Sequence, residues 1–300
     1  MIDIVIGSRG SDLALWQARY VKKRLSELGH NVTINIIKTQ GDAIQHLSFD
    51  KLEGKGFFTK EIEAALLDGS IDLAVHSHKD LETNPPEGLI IAAVSERADP
   101  ADILLVRESA VDINKKWGLM EGAIVGTSSA RRKSQLLAHR PDTILKDLRG
   151  NVPTRINKLR NQQYDAILLA KAGIDRLEID LSEFNVVVLD PSEFVPAPAQ
   201  GVLGLQIRKS DDRMAEILKP LNNKSVQKRI AIERKVLNLL EGGCQLPLGV
   251  YCDENNTLFA SYAHSAESTR VLKTYKLNER INALDMASIV VKDLQDYVSS

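Results

Sequence analysis

Short apolar runs alternate with amphipathic stretches along most of this chain. Residues 2–6 (IDIVI) read as a strand, and GSRGS leads from it into DLALWQARYVKKRLSELG, where Leu13, Trp16, Tyr20 and Leu28 define one helical face. Residues 32–37 (VTINII) alternate as a strand does. Residues 38–58 carry no periodicity and contain Gly41, Gly54 and Gly56. A helix is expected from Lys60 to Leu67, with Thr59 as its N-cap and Glu61 and Glu63 in its first turns. IDLAV (71–75) is the next strand. A second round begins after RADPAD. DILLV (102–106) is a strand, GAIVGTSSARRKSQLLAHR (122–140) a strand, a polar turn and a helix, and TILKDL, NVPTRINKLRNQ and DAILLA continue the alternation to Ala170. Strands alternating with helices predict mostly parallel α/β sheets.

The two rounds resemble each other. IVIGSRGSDLALWQA matches AIVGTSSARRKSQLLA in its β-rich run, glycine, polar turn and helix, and DLAVHSHKDL loosely matches DAILLAKAGIDRL. Two similar α/β domains are therefore expected. DPSEFVPAPAQG (190–201), with three prolines, reads as a connector, and LGLQI (203–207) as one more strand. SVQKRIAIERKVLNLLEGG (225–243) is a long amphipathic helix with Gly242 suited to a left-handed C-cap. Strand-like runs near 248–252, 257–263 and 270–277 and a helix over 281–297 complete a small α+β domain.

Composition narrows the function classes. Three hundred residues suggest two or three domains, and 43% apolar with 26% charged residues is the balance of a globular protein. A net charge of −1 gives no global field towards nucleic acid or membrane. The N-terminus MIDIVIGSRG lacks a basic n-region and is not expected to be a signal peptide, no apolar run reaches the roughly 20 residues of a membrane span, and two cysteines, Cys244 and Cys252, make neither a disulfide framework nor a metal motif. A reducing cytoplasm is the expected compartment.

The candidate chemistry sits where strands end. The turns GSRGS and GTSSARR each open a helix, so free N–H groups and the helix dipole favour an anion there. Ser8, Ser11, Thr127, Ser128 and Ser129 add hydroxyls, and Arg9, Arg131 and Arg132 add forked cations suited to carboxylates. Arg149, Arg155 and Arg176 follow later strand-like runs; several arginines around one crevice suit a ligand with several carboxylates, whereas each alone reads as a solvated charge. In VHSHKD (75–80), His76 and His78 would share a strand face, but no third metal ligand has recognisable spacing, so no metal is expected. Asp80 could serve as a general acid or base beside Lys79. Cys244, in EGGCQLP, follows a helix C-terminus, where the dipole disfavours a thiolate. It suits a covalent tether better than a fast nucleophile.

Taken in order, FFTKE, AVHSHKDL, VGTSSARR, LRGNVPTR and LEGGCQLP closely resemble the hydroxymethylbilane synthase (porphobilinogen deaminase) family, over four-fifths of the chain. The resemblance implies two periplasmic-binding-protein-like (type II) α/β domains plus a small C-terminal α+β domain: 1–98 with 198–218, 99–197, and 219–300. It implies an active site between the first two, the joining of four porphobilinogen molecules head to tail with release of ammonia, and a dipyrromethane cofactor held by thioether to Cys244. It makes Asp80 the catalytic carboxylate, flanked by Ser77 and Lys79. Ser77, Lys79, Thr127, Ser128, Ser129, Arg131, Arg132, Arg149, Arg155 and Arg176 would hold the cofactor; Arg9, Ser11, Arg149, Arg155 and Arg176 would hold substrate; Lys51, Lys55 and Phe58 would form a lid. The expected partner is the small-molecule substrate porphobilinogen, with a monomer and, from the near-neutral charge, no nucleic-acid or membrane partner. Three positions depart from the family pattern: Ala130 for leucine, Ala199 for glycine, and His78 where methionine or leucine is usual. The competing readings are a non-catalytic anion-binding clamp, which would need neither Cys244 nor Asp80, then a zinc hydrolase using His76 and His78, and last a nucleic-acid reader built on SSARRKSQLLAHR.

Overall fold

The computed structural model describes residues 1–39, 59–240, 246–277 and 282–299. The expected lid residues Lys51, Lys55 and Phe58, the tether Cys244 and the C-cap Gly242 lie outside the described residues. The chain divides into two compact units, residues 1–98 with 201–228 and residues 99–200 with 229–300.

In the first unit, β1 (Asp3–Ser8), β2 (Asn31–Ile36), β3 (Leu73–Ser77), β4 (Leu89–Val94) and β10 (Leu203–Arg208) form one sheet in the order β2-β1-β3-β10-β4, with β10 antiparallel to both neighbours. Helix α1 (Asp12–Glu27) covers one face and α2 (Lys60–Leu67) the other. In the second unit, β5 (Asp102–Arg107), β6 (Ile124–Gly126), β7 (Ile144–Lys146), β8 (Ala166–Ala170) and β9 (Phe184–Val188) follow the order β7-β6-β8-β5-β9, again with the fourth strand antiparallel. The two sheets are topological copies: β1 corresponds to β6 and β3 to β8, the pairs whose sequences look alike. The first sheet is completed only by β10, after the second sheet is finished, because chain order and spatial order differ.

Helices α3 (Ala130–His139), α4 (Val152–Arg160) and α5 (Lys171–Leu177) belong to the second unit, and α6 (Asp212–Leu218) to the first. Helix α7 (Lys224–Leu239) leads to a third, antiparallel sheet of β11 (Leu248–Cys252), β12 (Thr257–Tyr262) and β13 (Val271–Lys276), closed by α8 (Ala283–Ser299). This sheet has its own core of Val236, Val250, Leu258, Val290 and Leu294, while its contacts group it with residues 99–200.

Several local expectations need correction. The buried stripe of α1 is Gln17, Ala18, Val21 and Leu25; Leu13, Trp16 and Tyr20 are half-buried and Leu28 is 45% exposed. A polar residue, Gln17, occupies the inner face, which shifts the apparent apolar stripe. Thr59 does not cap α2 with its side chain; its hydroxyl donates to Glu63 instead. Strands β4 and β9, each at a sheet edge, were not legible in the strand-helix rhythm. His76 and His78 do not share a strand face, because β3 ends at Ser77 and His78–Asp80 turn into a short 3-10 helix.

Candidate functional site

In the first unit, two parallel strands deliver the predicted residues to their carboxyl ends. The β1–β3 register pairs Ile6 with Leu73 and Gly7 with Ala74; continued two residues, it brings Arg9 level with His76. The Arg9 charge acts on the His76 ring. Ser11 caps α1, its oxygen accepting from the Ala14 N–H at 3.4 Å, which leaves its own proton to donate. Alternation sends the residues of β3 to opposite faces. On one face Gln17 of α1 donates to Ser77 Oγ at 2.8 Å; on the other, Gln206 of β10 lies 3.0 Å from His76 Nε2. Two glutamines thus pin the last two residues of β3, one from each side. The next turn presents half-buried Lys79 and exposed Asp80.

His76 is buried and its pKa is pushed down to about 4, first by burial and also by Arg9, although the Gln206 contact works the other way. It is a neutral imidazole at pH 7. Among the described residues no cluster of His, Cys, Asp and Glu is arranged to hold a metal ion.

The second unit places the other predicted residues on equivalent loops. Ser129 caps α3 by accepting from the Arg132 N–H at 3.5 Å. Thr127 is buried, and its hydroxyl accepts from the Ser129 N–H at 3.3 Å. Ser128 Oγ both donates to the Leu148 carbonyl and accepts from the Leu148 N–H, each at 3.1 Å, so its proton is committed to fixing the residue ahead of Arg149. Asn151 caps α4, and Arg155 Nε folds back on the Gly150 carbonyl at 2.7 Å. Gly150 is required there: its φ is +112°, and an added Cβ would meet Thr154 at 2.6 Å. Arg149, Arg155 and Arg176 are half-buried. Arg176 lies in the last turn of α5, six residues past the end of β8.

Arg131 and Arg132, expected to face a ligand, also have a partner the sequence reading did not single out. Both are buried against Asp102, which is fully buried at the start of β5. Arg131 Nη1 reaches Asp102 Oδ2 at 2.6 Å and the Val195 carbonyl at 2.9 Å. Arg132 grips Asp102 Oδ1 through Nε at 3.2 Å and Nη2 at 2.8 Å, and the Leu168 carbonyl through Nη1 at 3.1 Å. Gln200 Nε2 adds a bond to Oδ1 at 3.0 Å. Burial alone would raise the Asp102 pKa; the two guanidinium charges and their hydrogen bonds outweigh it and hold the carboxyl well below the usual range. Among the described residues two cations share one carboxylate, so the trio carries surplus positive charge, and Arg131 Nε is buried with no hydrogen-bond partner there. Both features fit an additional acidic group. The signal available in sequence was Asp102 itself, a carboxylate opening an otherwise apolar strand.

Ala199, one of the departures from the family pattern, is buried with a left-handed φ of 62°, and its N–H donates to Glu233 Oε2 at 2.7 Å. The other Glu233 oxygen accepts from the Cys252 N–H at 2.8 Å, so a carboxylate on α7 ties this strained residue to the edge of the third sheet. Ala130 opens α3, and His78 opens the turn that ends at Asp80.

Comparison with known proteins gives a consistent result. The family model described as "Porphobilinogen deaminase, dipyromethane cofactor binding domain" matches residues 4–216. The porphobilinogen deaminase of Nitratidesulfovibrio vulgaris is 43% identical, over 98% of this chain and 94% of its own. That of Chloroherpeton thalassium is 41% identical, over 98% and 93%, and that of Neisseria meningitidis 44% identical, over 85% and 81%. Among solved structures, an ancestral cationic amino acid solute binding protein aligns at 14% identity over 73% of this chain and 87% of that one, with a TM-score of 0.42.

Proposed function

Because this chain belongs to the porphobilinogen deaminase family, we propose specific roles for its residues in that family's reaction. The chain joins four porphobilinogen molecules head to tail, releasing ammonia at each coupling, and water then frees linear hydroxymethylbilane; its cofactor is dipyrromethane. When bound, that cofactor supplies the pyrrole end to which the first substrate ring is joined. The alternative of a non-catalytic clamp is not favoured by these relationships.

Cys244 is proposed to hold the cofactor through a thioether. Each pyrrole ring of the cofactor and the growing product bears an acetate and a propionate, so the ligand is a polyanion. Arg131, Arg132, Arg149, Arg155 and Arg176, with Thr127 and Ser129, would take cofactor carboxylates, and Ser128 would position Arg149. Arg9 and Ser11, with Arg149, Arg155 and Arg176, would take substrate carboxylates. The observation that carries this reading is the surplus charge around Asp102. A buried cation without a counter-charge is costly, and a ligand carboxylate supplies one.

Asp80 is proposed as the acid and base of each coupling. It would deliver a proton to the leaving amine of porphobilinogen, balance the positive azafulvene formed, and accept the ring proton after the carbon–carbon bond closes. Its exposed carboxylate, beyond a strand end fixed on both faces, supports this role, and Ser77 and Lys79 would flank it. Lys51, Lys55 and Phe58 remain proposed as a lid, and residues 219–300 as a third domain carrying the tether. No described helix is long and apolar enough to cross a membrane. We further propose a cytoplasmic monomer with no nucleic-acid partner, a reading the net charge of −1 supports.

Intact-mass measurement tests the cofactor assignment. The purified chain should exceed its sequence mass by one dipyrromethane. Cys244→Ser should remove the adduct and all turnover, whereas Cys252→Ser should keep both. An adduct that survives in Cys244→Ser would place the tether elsewhere.

A further inference from the structure

Within the first unit runs a buried chain of hydrogen bonds that has one direction when its carboxylate is ionised. The Thr59 hydroxyl donates to Glu63 Oε2 at 3.1 Å, Gln206 Nε2 donates to Glu63 Oε1 at 3.1 Å, and Gln206 Oε1 lies 3.0 Å from His76 Nε2. Thr59, Glu63, Gln206 and His76 are all buried. An ionised carboxylate only accepts hydrogen bonds, so the Gln206 amide must turn its nitrogen to Glu63 and its oxygen to His76. That oxygen also only accepts, so the ring nitrogen facing it must carry the proton. Burial and Arg9 both disfavour the imidazolium, which leaves Nδ1 without a proton. A protonated Glu63 could donate instead, and the whole chain could then reverse.

We propose that Glu63 dictates the tautomer of His76 through Gln206, and that His76 so fixed is a positioning residue for the turn that carries Asp80. Glu63 lies on α2, Gln206 on β10 and His76 on β3, so the chain stitches three elements together within the first unit. It anchors the face of β3 opposite the one held by Gln17, four residues before Asp80. The positioning half of the proposal rests on the role given to Asp80; the tautomer half stands on the hydrogen-bond geometry alone. Small displacements of an acid–base group are costly in rate, which gives a buried polar relay at this place a function.

The test is ¹⁵N NMR of the cofactor-loaded enzyme at neutral pH, with the His76 signals assigned by their loss in His76→Gln. A neutral ring protonated at Nε2 is expected; protonation at Nδ1, or at both nitrogens, overturns the proposal. Glu63→Gln retains the packing but lets the amide of Gln206 turn over. It should give a mixture of tautomers and lower kcat by about three- to tenfold, the effect of one net hydrogen bond, with KM and cofactor mass unchanged. A kcat equal to that of the parent would overturn the positioning half. Should Glu63→Gln fail to fold, the tautomer of the parent enzyme still decides the first half. Asp80→Asn, assayed alongside, separates the two readings. If it stays active, the Asp80 role and the positioning half both fall, while an Nε2 proton still supports the tautomer assignment.

Discussion

Asp102→Asn removes the charge that two buried guanidinium groups share while keeping the volume. In the parent, Asp102 accepts from Arg131 at 2.6 Å, from Arg132 at 2.8 and 3.2 Å, and from Gln200 at 3.0 Å. Asparagine offers one carbonyl oxygen to these donors and turns an NH2 group towards the others, donor against donor. Arg131 and Arg132 have side chains only 5% and 8% exposed, so water cannot take over. Removing one partner of a buried ion pair costs about 3–5 kcal/mol, a large part of the roughly 5–15 kcal/mol that holds a domain folded. The pH dependence follows from the depressed pKa. An unfolded aspartate titrates near about 3.9, and the folded one lower. The stabilisation is therefore complete above about pH 4 and is lost as pH falls below that towards the folded value. The assay is urea unfolding followed by tryptophan fluorescence. The chain has two tryptophans, and a Trp16→Phe background leaves Trp117, packed on Phe194 in the second unit, as the reporter. The expected result is a loss of about 3 kcal/mol or more at pH 7, and a shallower acid limb in the variant. A loss below about 1 kcal/mol, typical of a surface pair, or an acid limb identical to the parent's, would refute the structural reading of Asp102.

Asp80→Asn should lower ammonia release by about 10²–10⁴-fold in samples whose cofactor content is checked by mass, and Asp80→Glu should retain more activity; a cofactor-loaded Asp80→Asn within a few-fold of the parent would send the search for the carboxylate elsewhere. Arg149→Leu and Arg155→Leu should each weaken substrate or cofactor binding by about ten- to a hundredfold, the worth of one charged hydrogen bond, with little change in urea midpoint. Parental kinetics in both would remove them from the site. Gly201→Ala should destabilise the first unit by about 2 kcal/mol or more, since Gly201 has φ +88° and an added Cβ would lie 2.4 Å from the Ala98 carbonyl oxygen; an unchanged melting temperature would contradict that geometry.

The amino-acid sequence by itself determined most of the local elements and which candidate residues stand at their ends. Apolar alternation marked β1, β2, β5 and β10 within a residue or two, and the likeness of the two strand-turn-helix segments foretold two sheets of one topology. Local signals suffice there, because a strand's period and a helix cap are set by neighbours in the chain. The edge strands β4 and β9 escaped, since a short apolar run outside the strand-helix alternation has no period to separate it from a buried helix segment. What pairs with what was decided only by the fold. Asp102 meets arginines some 30 residues on, and Glu63 and His76 meet Gln206 from beyond position 200. Such partners are brought together by the antiparallel fourth strands β5 and β10. Only tertiary structure shows that Arg131 and Arg132 have a buried carboxylate as well as surplus charge, and that Ser128 holds Leu148. A side chain's donors and acceptors are fixed by its type, but which of them are spent inside the protein depends on groups that the chain order keeps far apart.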